Sequence, residues 1–388
     1  MSDAATVISE ETETPKSESG LLLDSLEIEN FRCFRHLVIP KLGRVNLITG
    51  KNNVGKSTLL EALQIFSDSG SPVVIRKILS NRGQFKTLSS RIIDSDQFSD
   101  ENFNMLNDSN FEGIYKLFEN QDTPVLKISS QNIIQEISIK WFIESVSTNG
   151  SKFRETIEGN PNSLPYIESK SSINNHDVVR IKISDLMKVD LFKGNRFRRF
   201  FCHLLGTSGA EDYQLEHFWE NSIRSGNKDT VIHGLSFFDV RIRDIIFIGG
   251  SEFDRFRIPY ILTEDSMFPE PISVMGEGMK RMLGLSLAFA NARGGILLID
   301  EIENGIHYLL HEKVWGFIMQ CSKKFDVQVF ITTHSWDCIE AFQRVAAEDD
   351  DSNSGMLIRL AEKNDNIIAT SFDEEDLEII TRQGIEVR

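Results

Sequence analysis

The stretch that most restricts how this chain can fold is residues 50–57, a loop with the sequence GKNNVGKS. It follows an apolar run at residues 45–49 and precedes a helical pattern at residues 58–66. Between a strand and a helix, a loop bounded by glycines turns its backbone N–H groups toward phosphate oxygens, and the positive end of the helix adds to the attraction. In this pattern the Lys56 amine reaches the β- and γ-phosphates and the Ser57 hydroxyl binds Mg²⁺. The sequence therefore predicts a phosphate-binding loop.

Composition excludes several classes of protein. The chain has 388 residues, enough for about two domains, and no apolar run approaches the ~18 residues that a membrane-spanning helix needs. No basic region followed by an apolar stretch marks a secretory signal. The four cysteines lie far apart without a C-x-x-C pair, which disfavours a zinc site and a disulfide framework. We therefore expect a cytoplasmic protein with no membrane contact. The net charge of −16 disfavours binding along nucleic acid unless positive charge is concentrated locally.

The patterning divides the chain into successive segments. Residues 1–21 are acidic and poor in large apolar side chains, so we predict a disordered tail. Residues 22–66 and 241–345 are predicted to form the two parts of one head, residues 67–240 an inserted mixed α/β lobe, and residues 346–388 an acidic loop with a strand and a helix. The expected fold class is α/β, with a mixed or parallel sheet, flanking helices and an inserted lobe.

Two short strand patterns, at about residues 23–31 and 37–40, come before the phosphate loop. They predict an antiparallel flap beside the nucleotide site. Arg32 or Phe34 would then lie against the base or ribose. The alternative is that Phe34 belongs to the core and Arg32 is a surface charge.

The second informative region is residues 296–301, where four aliphatic residues precede Asp300 and Glu301. A continuous apolar run bounded by glycines is typical of a strand buried on both faces, and ligands bind at the carboxyl ends of such strands. Asp300 is predicted to hold Mg²⁺ through water, and Glu301 to orient or deprotonate the attacking water. An acidic pair alone is more often a solvated helix start, but the upstream phosphate loop favours the catalytic interpretation.

A further buried-strand pattern, residues 327–333, leads to His334. It places His334 at the same sheet edge as Asp300, where the ring could hydrogen-bond the γ-phosphate, although a lone histidine is more often structural. Gly276 and Gly278 precede an apolar helical pattern. They could present backbone N–H groups to an anion, or they could form an ordinary turn.

Residues 193–201 interleave basic and aromatic side chains. In a nucleic-acid-binding protein such a segment would be a phosphate-binding and stacking surface. The alternative is a helix that buries Phe197, Phe200, Phe201 and Leu204 while its arginines face water. The spacing of the aromatic residues favours the helix.

Taken in order, these segments resemble an ABC-type ATPase head. They are Walker A at 50–57, a Gly-x-Gly signature at 276–278, Walker B with its adjacent glutamate at 300–301, and residues 303–307 and 332–335. In particular, the chain resembles the bacterial AAA ATPase/GTPase family related to RecF, SMC and overcoming-lysogenisation-defect (OLD) proteins. Residues 26–32 and 384–388 are also similar to that family. The resemblance covers the two head segments well and the insertion poorly.

The resemblance implies an ATPase that uses ATP and Mg²⁺. Lys56, Glu301 and His334 would be catalytic, His334 as the switch histidine, and Ser57 and Asp300 would bind the metal. The residues implied to contact the nucleotide are Gly50, Asn52, Asn53, Val54, Gly55, Lys56, Ser57, Thr58, Arg32, Gly276 and Gly278.

The resemblance also implies a homodimer in which two heads meet head to tail around two ATP molecules. Gly276 and Gly278 of one copy would present N–H groups to the γ-phosphate held by the other. Asn304 and Gly305 match the loop that crosses the interface. Arg281 is a further candidate for reaching the opposite site.

Two features depart from the family pattern or lack a counterpart. Gly276 replaces the usual signature serine, which removes one hydroxyl contact. Gln84 and Gln97 are candidates for the glutamine loop by position only. Residues 346–388 are too few for a Toprim nuclease domain, so the resemblance implies that a nuclease or other effector would be a separate chain, as in sensor ATPases of anti-phage systems.

Three functional hypotheses remain. The first is an ATP-hydrolysing switch whose closed and open dimer states control a partner effector. The second is a DNA-binding repair ATPase of the RecF and SMC kind, with possible DNA contact at residues 193–201; the acidic balance and the lack of a coiled-coil pattern oppose it. The third is an assembly subunit that binds ATP without turnover, which the presence of Glu301 disfavours.

Overall fold

The computed structural model describes residues 20–85, 110, 112–147, 150–156, 163–172, 178–188, 198–249, 256–348, 355–373, 376, 377 and 379. The predicted N-terminal tail lies outside this part of the chain apart from its last two residues. Gln97 and residues 193–197 of the basic and aromatic segment also lie outside it.

The described residues form strands and helices in alternating groups. In chain order the strands are β1 (Leu26–Phe31), β2 (Phe34–Ile39), β3 (Val45–Thr49), β4 (Val125–Ser130), β5 (Ile133–Ser147), β6 (Gly150–Thr156), β7 (Leu164–Ser171), β8 (Val178–Lys182), β9 (Cys202–Leu205), β10 (Ile242–Gly249), β11 (Arg257–Thr263), β12 (Glu270–Pro271), β13 (Ile296–Ile299), β14 (Gln328–Thr332), β15 (Gly355–Lys363) and β16 (Asn366–Phe372). The α-helices are α1 (Lys56–Ser67), α2 (Pro72–Asn81), α3 (Asp212–Arg224), α4 (Lys228–Ser236), α5 (Glu277–Asn291), α6 (His311–Lys324) and α7 (Trp336–Ala347). Among these helices none combines the length and the apolar character needed to cross a bilayer.

A mixed six-stranded sheet, in the order β16–β15–β3–β14–β13–β9, carries the predicted motifs. Strands β15, β3, β14, β13 and β9 run parallel, and β16 is antiparallel to β15. Side chains along β13 alternate between two cores. Leu297 and Ile299 pack with helices α3 to α7, while Ile296 and Leu298 pack with α1, α2 and the second sheet. Burial on both faces is why these strands are continuously aliphatic, and the predicted α/β head fold is confirmed.

The second sheet has the order β2–β1–β4–β5–β7–β8, with β6 paired to β5. Its described pairs are antiparallel. β1 and β2 form the predicted antiparallel flap, and the turn between them places Arg32 at a φ of 53°. Because β1 also pairs with β4, the flap and the strands from residues 67–240 belong to one sheet. The same residue range contributes β9 to the first sheet.

A third, small sheet of β10, β11 and β12 lies beside α3 and α4. Trp219 of α3 stacks on Phe247 of β10 with 5.4 Å between ring centroids. This layer leads through β12 and a short 3₁₀ helix, Ile272–Met275, into Gly276 and α5. It therefore supports the signature segment from outside the central sheet.

The helix predicted around residues 197–204 is wrong for the described residues, which lead into a strand. Cys202–Leu205 is β9 and pairs with β13, and the Ile296 N–H donates to Phe201 O over 2.6 Å. Phe200 is 3% exposed and Phe201 is 56% exposed. Neighbouring side chains on opposite sides are characteristic of extended backbone.

The described arginines of this segment, Arg198 and Arg199, both contact residues at the end of α1, although Arg198 remains exposed. Arg198 Nε donates to Asp68 Oδ1 over 3.0 Å. Arg199 donates to Phe66 O over 3.1 Å and to Ser171 Oγ over 2.8 Å, and its guanidinium carbon lies 4.2 Å from the centre of the Phe66 ring. Burial lowers the pKa of Arg199 to about 10. Both side chains therefore help to hold the end of α1 in place.

Candidate active site

The phosphate loop connects β3 to α1 and contains two glycines in the left-handed region of backbone conformation. Gly50 has a φ of 141° and Gly55 a φ of 95°. A Cβ atom would lie 2.4 Å from Leu360 O if added at Gly50, and 2.7 Å from Cys33 Sγ if added at Gly55. The loop is therefore closed in by β15 on one side and by the flap turn on the other. No side chain caps the start of α1, so the amides of its first turn are suited to an anion.

The Lys56 ammonium lies inside this loop. Its Nζ donates to Gly50 O over 2.7 Å and to Lys51 O over 3.0 Å. Partial burial lowers the pKa of Lys56, and nearby carboxylates, foremost that of Glu301, act in the opposite direction. The structure thus brings the phosphate loop to the acidic residues that follow β13, as the sequence predicts.

Asp300 joins the phosphate loop to the end of β14. Ser57 Oγ donates to Asp300 Oδ2 over 3.0 Å, and Thr332 Oγ1 donates to Asp300 Oδ1 over 2.6 Å. Thr332 Oγ1 in turn accepts from the Glu301 N–H over 2.8 Å. Hydroxyl and carboxylate oxygens are the ligands that Mg²⁺ prefers, so the residues present fit a magnesium ion held by Ser57 and Asp300.

Glu301, the candidate catalytic carboxylate, has a φ of 50°, which is unusual for a residue with a side chain. Such backbone conformations cost on the order of 1–3 kcal/mol and are concentrated at functional sites. Asn304 Nδ2 donates to Glu301 Oε2 over 2.7 Å. Asn304, predicted only for the interface loop, therefore also fixes the orientation of Glu301.

His334 lies at the carboxyl end of the sheet, next to two glutamates. Its Nδ1 is 3.1 Å from Glu303 Oε1 and 3.9 Å from Glu301 Oε1, and its backbone N–H donates to Glu303 Oε1 over 2.9 Å. The imidazole is half exposed, at 49% of its side-chain area. The structure therefore places His334 beside Glu301, where the sequence analysis expects it.

The signature segment adjoins the loop that contains Asn304 and Gly305. Gly276 has a φ of 90° and begins α5 without a side-chain cap. A Cβ atom at Gly278 would lie 3.0 Å from Gly305 O. The two segments predicted to meet a second copy are therefore neighbours on one surface of this chain.

Arg281 does not extend toward an opposite site. Its side chain donates to Thr207 O over 2.8 Å and to Asp300 O over 3.1 Å within the same chain. The residue is 8% exposed, and burial lowers the pKa of its guanidinium. This corrects the expectation that Arg281 reaches across a dimer interface.

Arg32 lies behind the start of α1. Its Nε is 2.8 Å from Glu61 Oε2, and its Nη1 donates to Gln84 Oε1 over 3.0 Å. Burial lowers the pKa of Arg32, and the Glu61 carboxylate opposes that shift. Arg82 shares Glu61 and also donates to Thr58 Oγ1 over 3.2 Å. Of the two arginines, Arg82 is the one that directly contacts a predicted nucleotide-binding residue.

Sequence reasoning missed three residues of this site. Thr332, Glu303 and Arg82 were not identified as side chains that hold the candidate groups. The only sequence signal for Thr332 is its place as the final residue of a buried strand next to β13. Glu303 and Arg82 could not be identified from sequence, because their roles depend on contacts between distant segments.

The fold and the site together define a P-loop ATPase. A family model described as "AAA domain, putative AbiEii toxin, Type IV TA system" matches residues 45–337. That range is most of the chain and contains Walker A, the signature, Walker B and His334. The chain belongs to this family of P-loop ATPases.

The chain is also similar to individual known proteins. The chain is 25% identical over 387 residues to an ATP/GTP phosphatase of Helicobacter pylori, covering 92% of this chain and 97% of that protein. It is 43% identical over 51 residues to the DNA replication and repair protein RecF of Thermomicrobium roseum, covering 13% of each. The solved SMC head bound to the C-winged helix domain of ScpA is 13% identical, with a TM-score of 0.45 over 92% of this chain and 99% of that one.

Proposed function

We propose that this ATPase hydrolyses Mg-ATP between residues 50–58 and the acidic pair Asp300–Glu301, and that ATP closes two copies head to tail. The observation that carries the proposal is the contact between Ser57 and Asp300, 243 positions apart in sequence, over 3.0 Å. This contact joins the phosphate loop to the Walker B acid. Few arrangements other than a shared metal and triphosphate site require a hydroxyl and a carboxylate at this position.

Each group has a distinct role in the proposed reaction. The loop amides, Lys56 and Thr58 hold the phosphates, and a bound Mg²⁺ ion would neutralise charge on the β- and γ-phosphate oxygens. Glu301 orients the attacking water and accepts its proton. His334 contacts the γ-phosphate and so distinguishes the nucleotide before hydrolysis from the product. Arg32 acts from behind α1, through Glu61, rather than on the base.

The neighbouring positions of the signature and interface loops support the dimer. Gly276 and Gly278 would offer N–H groups to the γ-phosphate held by a second copy. Large apolar side chains flank these loops: Val274 is 67% exposed, and Tyr308 and Leu309 are 59% and 70% exposed. Exposed apolar clusters are typical of protein contact sites. A second copy would cover them when it completes the site.

The dimer is tested by trapping it. Glu301→Gln should bind ATP without hydrolysing it, so light scattering should show a dimer with ATP and a monomer without nucleotide. Lys56→Ala, which weakens phosphate binding, should stay monomeric under both conditions. A Glu301→Gln protein whose mass is unchanged by ATP would contradict the proposed switch.

We further propose that the switch controls a separate effector, such as a nuclease, in anti-phage defence. The description of the family as putative AbiEii toxins of a type IV toxin–antitoxin system supports a conflict-related role. Met267 and Phe268, near the signature segment, are 89% and 75% exposed and are candidates for the effector contact. The product of an adjacent gene should co-purify with this chain, and Met267→Ser with Phe268→Ser should abolish co-purification. Co-purification that survives both substitutions would exclude this surface.

A further inference from the structure

We infer that Glu303 is a positioning residue for hydrolysis, and that it acts by holding the ring of His334 with Nδ1 protonated and Nε2 directed to the phosphate. The inference rests on the proposed function, because it assumes that His334 contacts the γ-phosphate. It assigns a role to a carboxylate that the sequence analysis included only as part of residues 303–307.

The geometry limits which nitrogen of His334 carries the proton. One oxygen of Glu303, Oε1, lies 2.9 Å from the His334 backbone nitrogen and 3.1 Å from ring Nδ1. An ionised carboxylate only accepts hydrogen bonds, so Nδ1 must be the donor. The contact to the backbone N–H fixes the main chain of His334, and the contact to Nδ1 fixes the orientation of its ring. Together they leave Nε2 as the ring nitrogen available to a ligand.

The charge of Glu303 also has a function in this arrangement. Its side chain is 11% exposed, and among the described residues Oε2 has no hydrogen-bond partner. Burying a carboxylate with only one oxygen satisfied is unfavourable, and a neutral side chain of the same shape could fill the space at lower cost. A carboxylate becomes favourable when a positive charge forms beside it. An imidazolium at His334, donating from Nε2 to a phosphate oxygen, would be such a charge.

Glu303 and Glu301 thus have different tasks although both lie near His334. Glu301 Oε1 is 3.9 Å from Nδ1, beyond hydrogen-bond distance, and Asn304 holds the other oxygen of Glu301. The carboxylate that orients the histidine is therefore separate from the carboxylate that faces the water. Separation allows Glu301 to accept a proton without releasing the ring.

The test compares two substitutions of Glu303 with loss of His334. Glu303→Gln keeps the shape and an acceptor oxygen but removes the charge, and Glu303→Ala removes both. We expect kcat for ATP to fall on the order of tenfold in the first and up to about 100-fold in the second, a range typical of residues that orient a functional group, with KM changed by less than about twofold. Glu312→Gln, which removes an exposed carboxylate paired with Arg344, is the matched control and should leave kcat unchanged.

A double mutant separates action through His334 from an independent effect. If Glu303 acts by orienting the ring, Glu303→Gln combined with His334→Ala should have the same kcat as His334→Ala alone. In protein labelled with ¹⁵N-histidine, the His334 signal should report protonated Nδ1 in the parent chain and lose that preference in Glu303→Ala. The signal is assigned by its loss in His334→Ala.

The outcomes distinguish this inference from the proposed function. If His334→Ala hydrolyses ATP at the parent rate, the proposed role of His334 fails and the inference falls with it. If His334→Ala is impaired but Glu303→Gln and Glu303→Ala are not, only the inference is overturned. Losses that multiply in the double mutant would also overturn it, because Glu303 would then act without the histidine. Glu303→Gln is nearly isosteric, so the comparison survives even if Glu303→Ala fails to fold.

Discussion

The guanidinium of Arg281 donates to the carbonyl oxygen of Glu301 over 2.7 Å. Arg281 lies in the second turn of α5, the helix that begins at the signature glycines, whereas Glu301 follows β13. One side chain thus connects the segment that would meet a second copy with the backbone of the catalytic carboxylate. Because Glu301 has an unusual φ of 50°, this contact helps to hold a conformation that the chain would not favour alone.

Replacing Arg281 by Lys should therefore impair catalysis and stability together. An ammonium cannot reproduce the planar fork that reaches several carbonyls at once. Leaving buried carbonyls without donors costs about 1–3 kcal/mol, so the free energy of unfolding in urea should fall by about that amount. We expect kcat to fall as well, by about tenfold, if ~1.4 kcal/mol of that support is lost in the transition state. Lys280→Met, which removes a surface ion pair with Asp212, should change neither quantity by much.

Thr332 offers a sharper test of the site, because its hydroxyl bridges two groups. Thr332→Val keeps the shape but leaves the Glu301 N–H without its acceptor and removes a donor from Asp300 Oδ1. We expect unfolding free energy to decrease by about 1–3 kcal/mol and kcat to fall measurably. Thr332→Ser retains a hydroxyl and should restore most of both. A valine variant with the parent kcat would show that the bridge does not matter for turnover.

The four cysteines should differ strongly in reactivity toward iodoacetamide. Burial raises the pKa of Cys202, Cys321 and Cys338 to about 12, so at pH 8 these thiols carry almost no thiolate. Cys321 and Cys338 are also shielded from the reagent. Cys33 is exposed at the flap turn, although partial burial of its sulfur raises its pKa as well. Mass spectrometry of briefly alkylated native protein should therefore find label at Cys33 first.

Because Cys33 lies against Gly55 of the phosphate loop, bound ATP should slow this labelling. Protein unfolded in urea should label at all four positions, which provides the control. Equal labelling of Cys33 and Cys202 in the native state would contradict the described packing.

Arg199 should prove to be a structural residue rather than a nucleic-acid contact. Arg199→Met removes the partly buried hydrogen bonds to Phe66 O and Ser171 Oγ. Hydrogen bonds to charged groups contribute about 1.5–3 kcal/mol, so the denaturant midpoint should decrease clearly. Any duplex binding, measured across a salt series, should be no weaker than in the parent chain. A selective loss of DNA affinity with unchanged stability would reverse this interpretation.

The structural features that could be predicted from sequence are those whose conformation is determined by one contiguous stretch of residues. The phosphate loop, β13 and β14 each have a local pattern, and their shared sheet edge follows from the rule for parallel strands. β9 was missed because a short apolar run does not distinguish a strand from a helix. Residues 202–205 form a strand because they pair with β13, which lies about 90 positions further along the chain. β16 was missed for the same reason, since the sequence analysis predicted a single strand within residues 346–388.

The side chains that support the site could not be predicted from sequence for a related reason. Glu303 and Arg281 contact residues from other parts of the chain. No local sequence spacing could therefore predict these contacts. The contacts of Arg198 and Arg199 with Asp68 and Phe66 at the end of α1 were likewise not indicated by any local spacing, since the favoured prediction was a helix with its arginines in water.

The strand that leads into the phosphate loop lies near the start of the chain, but its two neighbours, β14 and β15, come from residues 328–332 and 355–363. During translation, β3 leaves the ribosome well before β14 and β15 have been synthesised. Leu360, whose carbonyl encloses Gly50, would be among the last parts of the pocket to emerge. The newly made chain would therefore complete this enclosure of the phosphate loop only after β14 and β15 have both been synthesised.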